Sequence, residues 1–403
     1  MKKVVVTGLG IVSPIGNSVS EFWTSVIAGK TGINDMTKVK NRGYPDNAKS
    51  AEIKNFSFPA KYKDYSDAVS YLVQAINEAL TNSAVDENDK KKIGLIVGTT
   101  NGNHDIIEKL VDIFGIDFSI PDFPDDFVEK FPNSKMYELS MHTAKECKLG
   151  GVNMVIPTAC AAGNYAIGTA FSLIKYNQAE MIFAGGADPF VRSCYNIFYQ
   201  LGAMSYNQCS PFDQNREGMV VGEGAGVLLL EEEQHALARG ANILAEIKGY
   251  GLSCDAYHPV SPDPKGQGAI KAINMALKNA NLEKVKISYI SAHATGTSAN
   301  DAHEYIAMSE VFQELLTNIP VNGLKSMLGH CMGAASAFEA IVAVLSIRDQ
   351  IIPPTISTTN IDKEFKLLSQ LNSVSKKMNI ENVMSNAFGF GGNVSSLIIG
   401  KYF

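Results

Sequence analysis

Cys160 lies in the run Val152-Asn153-Met154-Val155-Ile156-Pro157-Thr158-Ala159-Cys160-Ala161-Ala162-Gly163-Asn164. A β-branched, apolar stretch ends at Pro157, and small residues lead from Ala161 into the apolar, helix-like run Tyr165–Ile174. The thiol is therefore expected at a strand-to-helix turn. Unpaired N–H groups and the dipole at a helix N-terminus favour an anion, which is expected to lower the thiol pKa. Small neighbours leave a substrate room to approach the sulfur. A lone cysteine is more often a buried core residue than a nucleophile, but two histidine segments reverse that weighting.

The first is Ser291-Ala292-His293-Ala294-Thr295-Gly296-Thr297, which follows the strand-like Ile287–Ile290. The second is Leu324-Lys325-Ser326-Met327-Leu328-Gly329-His330-Cys331, which runs into the small residues Gly333-Ala334-Ala335. Sites in open α/β sheets gather at the carboxyl ends of strands. One thiol and two imidazoles at three such ends are therefore placed to meet, a joint pattern much harder to explain as packing than each residue alone. A fourth segment, Ser385-Asn386-Ala387-Phe388-Gly389-Phe390-Gly391-Gly392-Asn393, is rich in glycine. It reads either as a tight turn or as a mobile loop whose backbone N–H reaches a ligand oxygen.

The elements that carry these segments alternate in type. Strands are predicted at 3–7, 93–99, 152–156, 180–186, 225–231, 242–250, 287–292, 318–322, 383–387 and 394–399. Helical patterns fill 19–28, 65–82, 136–147, 162–176, 232–239, 265–280, 301–315 and 332–348. Such alternation predicts an α/β protein with largely parallel sheets. The pattern restarts near residue 242, where Ile243–Gly251 echoes Val4–Gly10, so the chain divides into halves 1–241 and 242–403. The stretch 103–135, centred on Ile120-Pro121-Asp122-Phe123-Pro124, lacks a period and reads as a loop or lid.

Composition narrows the function classes. The 403 residues are 45% hydrophobic and 19% charged, with net charge −6. That balance argues against a nucleic-acid binder, which shows a basic face. None of the six cysteines forms a CxxC pair, so neither a zinc site nor a disulfide framework is indicated. Scattered thiols suit a reducing cytoplasm. The start Met1-Lys2-Lys3-Val4-Val5-Val6 breaks at Thr7-Gly8, as a strand does and a signal peptide does not. No stretch of 18 apolar residues exists to span a membrane. Gly8-Leu9-Gly10 lacks the third glycine of a dinucleotide fingerprint, since Ser13 stands there.

In combination and order, these motifs resemble the β-ketoacyl-acyl carrier protein synthases of the elongating, Cys-His-His type, the ketosynthases of fatty acid or type II polyketide synthesis. The likeness runs nearly end to end. It takes in Val5–Gly10, Thr158-Ala159-Cys160, Pro211-Phe212-Asp213, Arg216-Glu217-Gly218, Gly222–Gly226, His293, Lys325, His330 and Phe388–Gly392. It implies a thiolase-like duplicated fold of five αβαβα layers, usually dimeric, made of identical chains or paired with a homologous chain-length-factor chain. It also implies an acyl-Cys160 intermediate, loaded from the phosphopantetheine arm of an acyl carrier protein, with no cofactor or metal. The N–H groups of Cys160 and Phe390 would form the oxyanion hole. His293 and His330 would stabilise the enolate formed when malonyl-carrier protein loses CO₂. Lys325 would hold the histidines, and Glu339 would pair with Lys325. Thr295 and Thr297 match pantetheine-binding positions. Phe388, Gly389, Phe390, Gly391 and Gly392 match a gating loop, and Lys61 and Arg216 match carrier-docking positions.

The chain also departs from the pattern. The usual His-Gly-Thr reads His293-Ala294-Thr295, the Gly before Asp301 is Asn300, and Gly-Gly-Thr-Asn reads Gly391-Gly392-Asn393-Val394. The region 100–145 differs most, and the docking segment Lys61–Asp67 is less basic than usual. These differences leave open a housekeeping synthase or a specialised polyketide or polyene one. A non-catalytic chain-length-factor subunit is the alternative of another class, but such partners usually lack the nucleophile that this chain keeps. A thiolase would need a second late cysteine, and none follows Cys331.

Overall fold

The computed structural model describes residues 1–39, 44–114 and 133–403. Among them a ten-stranded sheet dominates. Edge to edge, its strands are Val321–Asn322, Tyr289–Ser291, Asn382–Gly389, Asn393–Gly400, Ala245–Cys254, Val4–Val12, Gly224–Glu232, Met181–Asp188, Gly94–Gly98 and Asn153–Ile156. Val4–Val6 and Ala245–Ile247 pair antiparallel at the centre and join two five-stranded halves. Each half runs outward through two antiparallel pairings and then two parallel ones. The sheet is therefore mixed rather than largely parallel. The last two strands of each repeat return as a hairpin or long excursion beside the first, and alternation alone does not reveal that.

Helices form three layers around the two halves. Asp67–Ser83 covers the outer face of the first half. Gln267–Ala280, with Ser298–Phe312 beside it, covers the outer face of the second. Ala162–Lys175 and Ala335–Asp349 pack on each other and on strands of both halves. Every residue from Ala335 to Ile347 is buried, as expected of a helix that is apolar all round. Three apolar cores fill the spaces between the layers, and the order is αβαβα.

The sequence echo has a packing cause. A Cβ on Gly10 would sit 1.7 Å from Ala75 O, and one on Gly251 would sit 2.0 Å from Ala272 O. In each half a helix lies directly on a bare strand backbone, which only glycine permits. The region 103–135 departs from expectation, because His104–Phe114 is helical. Its residues 106, 107, 110 and 111 repeat an apolar face that the neighbouring prolines masked. The centre of the expected lid, Ile120–Phe127, lies outside the described residues. The predicted strand at 318–322 shortens to Val321–Asn322, because Gln313–Asn318 coils into a tight helical turn.

Candidate active site

Cys160 sits in the short turn Ala159–Ala161, between the edge strand Asn153–Ile156 and the helix Ala162–Lys175. Ala159 adopts φ 51, a left-handed conformation that costs a non-glycine residue roughly 1–2 kcal/mol. The sharp bend turns the thiol into the interior, where Cys160 is 5% exposed. Burial pushes the thiol up to about 12, and the Lys325 ammonium pulls against that rise. The depressed pKa expected at a helix N-terminus is therefore corrected: loss of hydration around the thiolate outweighs the dipole. At rest Cys160 is a thiol.

Cys160, His293 and His330 line one cavity of ≈ 250 Å³. His293 follows the strand Tyr289–Ser291, and His330 follows the helical turn Lys325–Leu328. Their ring centroids are 5.4 Å apart at an interplanar angle of 83°. Burial, reinforced by the Lys325 ammonium, holds both imidazoles well below the usual histidine range. Both rings are neutral, so each has one donor and one acceptor nitrogen.

Lys325 sets the orientation of His293. Its Nζ donates to Glu339 Oε1 at 2.6 Å and to His293 O at 2.6 Å, and lies 3.3 Å from His293 Nδ1. An ammonium has no lone pair, so Nδ1 is the acceptor and Nε2 carries the hydrogen. Glu339 is fully enclosed, and its carboxyl is raised to about 7 by burial while Lys325 draws it down. With Lys325 bonded to it, Glu339 is the carboxylate of a buried ion pair. His330 Nδ1 is buried without a partner among the described residues.

Three further buried carboxyl groups hold the loops in place, and no residue spacing announces that role. Glu304 accepts from His293 N and Ala294 N, both at 2.8 Å. Asp301 accepts from Phe212 N at 2.7 Å and Gly296 N at 3.2 Å. Asp188 accepts from Asn101 N and Gly333 N, both at 2.6 Å. A carboxyl group that grips backbone N–H groups has no characteristic spacing, so only the fold displays it. The Glu304 grip explains how Ala294, at φ 45, replaces the expected glycine: a carboxyl oxygen accepts from the Ala294 N–H and holds the strained turn.

The glycine-rich segment is the hairpin turn between Asn382–Gly389 and Asn393–Gly400. Gly391 and Gly392 have φ 77 and 74. Gly391 N donates to Pro259 O at 2.7 Å, and Asn393 Nδ2 donates to Phe390 O at 2.8 Å. A Cβ on Gly389 would lie 3.0 Å from Cys160 N, so this turn rests against the Cys160 backbone. Phe388, Gly389, Phe390 and Gly392 line the cavity, whereas Gly391 faces solvent. Phe388 stands beside His293, and Phe390 packs on Phe198 with centroids 5.3 Å apart. Thr295 and Thr297 also line the cavity, with their hydroxyls 2.9 Å apart. Cys160 belongs to an apolar cluster with Phe190, Cys194, Phe198, Met204 and Met219, of which Phe198 and Met219 also line the cavity.

Comparison with known proteins bears on this arrangement. The family model "Beta-ketoacyl synthase, N-terminal domain" matches residues 1–236, and "Beta-ketoacyl synthase, C-terminal domain" matches residues 244–359. The chain belongs to the β-ketoacyl synthase family. It is 35% identical to 3-oxoacyl-[acyl-carrier-protein] synthase 2 of Synechocystis, over 100% of this chain and 98% of that protein. The enzyme of the same name from Coxiella burnetii is 34% identical over 100% and 99%. Among solved structures, the ishigamide ketosynthase/chain length factor superposes with TM-score 0.91 at 34% identity, covering 100% of both chains. A β-ketoacyl synthase from Burkholderia phymatum gives 0.90 at 29% identity, also over 100% of both.

In this β-ketoacyl synthase the two expected docking cations stand outside the cavity wall. Arg216 is turned inward, 8% exposed, with NH1 2.7 Å from Asp362 Oδ2 and the guanidinium stacked over Phe365. It clamps the loop at Asp213 rather than offering a free surface charge. Lys61 is 64% exposed and paired with Glu146 at 2.7 Å. Among the described residues no His, Cys, Asp or Glu cluster is placed to hold a metal ion, and no helix is long and apolar enough to cross a membrane.

Proposed function

We propose that this chain condenses an acyl thioester with malonyl-acyl carrier protein, through an acyl-Cys160 intermediate, in fatty acid or type II polyketide or polyene synthesis. The observation that carries this reading is one cavity walled by the Cys160 thiol and two neutral imidazoles, with the Lys325–Glu339 pair behind them. The sulfur attacks the acyl carbonyl, and its proton passes through a neutral imidazole to the departing pantetheine thiolate. The oxyanion forms against the N–H groups of Cys160 and Phe390, where one donor contributes roughly 3 kcal/mol. Malonyl thioester then loses CO₂, and the enolate oxygen takes hydrogen bonds from His293 Nε2–H and His330. The enolate carbon attacks the acyl-Cys160 carbonyl. Cys160 leaves as thiolate and recovers a proton, and the product is a 3-ketoacyl thioester. Loss of CO₂ drives the carbon–carbon bond, so the balance needs no redox group.

We assign the nucleophile to the half 1–241 and the histidines and glycine turn to the half 242–403. Substrates arrive on the phosphopantetheine arm; Thr295 and Thr297 receive it, and Lys61 lies on the carrier's side. We place the enzyme in the cytoplasm, where its six free thiols stay reduced. The open edge of Asn153–Ile156, with Met154 42% exposed, suits pairing with a second copy or a homologous chain. A non-catalytic partner role would leave thiol and imidazoles without a task. Intact-protein mass spectrometry tests the reading. Incubation with acyl-carrier proteins should add an acyl group at Cys160, and malonyl-carrier protein should chase it into a 3-ketoacyl product. No adduct, with or without a homologous partner chain, would refute the assignment.

A further inference from the structure

The helix Ser298–Phe312 turns a third imidazole onto the cavity wall. His303 lines the same cavity as Cys160 and His293, at 2% exposure. Its Nδ1 lies 2.8 Å from Asp263 O. A carbonyl oxygen only accepts, so Nδ1 carries the hydrogen, and in the neutral ring Nε2 keeps its lone pair. That Nε2 is buried and has no partner among the described residues. A buried acceptor left unpaired is costly, and such groups in folded proteins are normally satisfied.

The surroundings narrow what would satisfy it. Phe388 meets the His303 ring edge-on at 5.3 Å and offers no hydrogen-bond donor to it. Asn300, one turn earlier on the same helix face, also lines the cavity, but its Nδ2 donates to Asp301 at 3.1 Å and does not reach His303 Nε2. The Thr295 and Thr297 hydroxyls pair with each other, and neither reaches Nε2. An acceptor recognises a donor, so phosphate, thioester carbonyl and carboxylate oxygens are excluded as ligands of Nε2. Amide N–H and alcohol O–H groups remain.

We propose that His303 Nε2 accepts a hydrogen bond from an N–H or O–H group of the arm that carries the thioester. His303 is then a binding residue of the channel that distinguishes an amide-bearing carrier arm from a bare thioester. This inference rests on the condensing activity proposed above. The hydrogen bond to Asp263 is a separate, structural duty, and two isosteric variants separate the two. Asn places a donor where Nδ1 stands and lacks the distal acceptor. Gln places an acceptor where Nε2 stands and lacks the proximal donor.

With acyl thioesters on the carrier protein, His303→Asn should raise KM by roughly three- to tenfold with little change in kcat. His303→Gln should restore most of that KM. With a thioester that has no amide or hydroxyl on its thiol side, the variants and the parent should not differ. If His303→Asn matches the parent while His303→Gln is impaired, the side chain only ties down Asp263, and the proposal is overturned. Calorimetric titration with pantetheine reads the same contact without turnover. Weaker binding by His303→Asn in a chain that does not condense would break the reaction assignment and keep this one; equal binding would remove it.

Discussion

In the first half of the sheet, the edge strand Asn153–Ile156 runs into the Cys160 turn and then the helix Ala162–Lys175. In the second half, the edge strand Val321–Asn322 runs into Lys325, His330 and then the helix Ala335–Asp349. The two positions are equivalent in topology and opposite in electrostatics. One offers a thiol among apolar side chains, which keep it protonated until a substrate arrives. The other offers a buried ammonium–carboxylate pair that fixes the His293 ring. Duplication thus brings two like strand ends to one cavity, and each end can specialise in one half of the reaction. The edges differ as well. Val321 and Asn322 are covered by the segment around Pro353 and Gln370, whereas Asn153–Ile156 keeps an exposed side.

The comparison breaks most readily at the thiol. Cys160→Ala should abolish acyl transfer, seen as no mass gain with acyl-carrier protein, while its thermal melt stays near that of the parent. Condensation by this variant would overturn the division of labour. At the other strand end, Lys325→Met leaves Glu339 buried without its ammonium. Denaturant titration should show a loss of about 3–5 kcal/mol; an unchanged midpoint would mean that the pair is not the keystone of that half. His293→Ala should lose malonyl decarboxylation by more than it loses acylation, measured as CO₂ release against adduct formation. Equal losses would place the imidazole in the first step instead.

Smaller effects refine the same contrast. Met154→Asp on the open edge should lower the dimer fraction in sedimentation, and an unchanged mass would place the partner elsewhere. Glu304 tests how the second half keeps its strained turn. Burial raises its carboxyl to about 8, so the folded chain binds its proton more tightly than the unfolded chain does. The stability this proton lends is full below pH ~4.3 and falls as pH rises to about 8. Glu304→Gln should flatten that slope in melts across the range; an undiminished slope would assign it to other carboxylates.

Much of the site was legible because its residues mark ends of periodic elements. Cys160, His293 and His330 each follow an apolar run and precede small residues, and that pattern survives in the fold. The pairing of Lys325 with Glu339 came only through the resemblance, since fourteen positions across a loop leave no periodic trace of a 2.6 Å contact. The Arg216 pairing was hidden for a related reason: a sequence displays a charge but not its partner Asp362 across the loop. The helix His104–Phe114 was obscured by prolines that lie beyond it.

By itself the sequence determined most element types, the restart of the pattern near residue 242 and the candidate chemistry-bearing residues, because hydrophobic period, glycine placement and residue type are local properties. Tertiary structure alone decided the protonation of the site and the identity of its supports. A thiol raised to about 12, two neutral imidazoles and three carboxyl groups gripping backbone N–H groups all arise from burial and from partners distant in the chain. Desolvation and long-range contact depend on what surrounds a residue in space, and no neighbour in sequence records that.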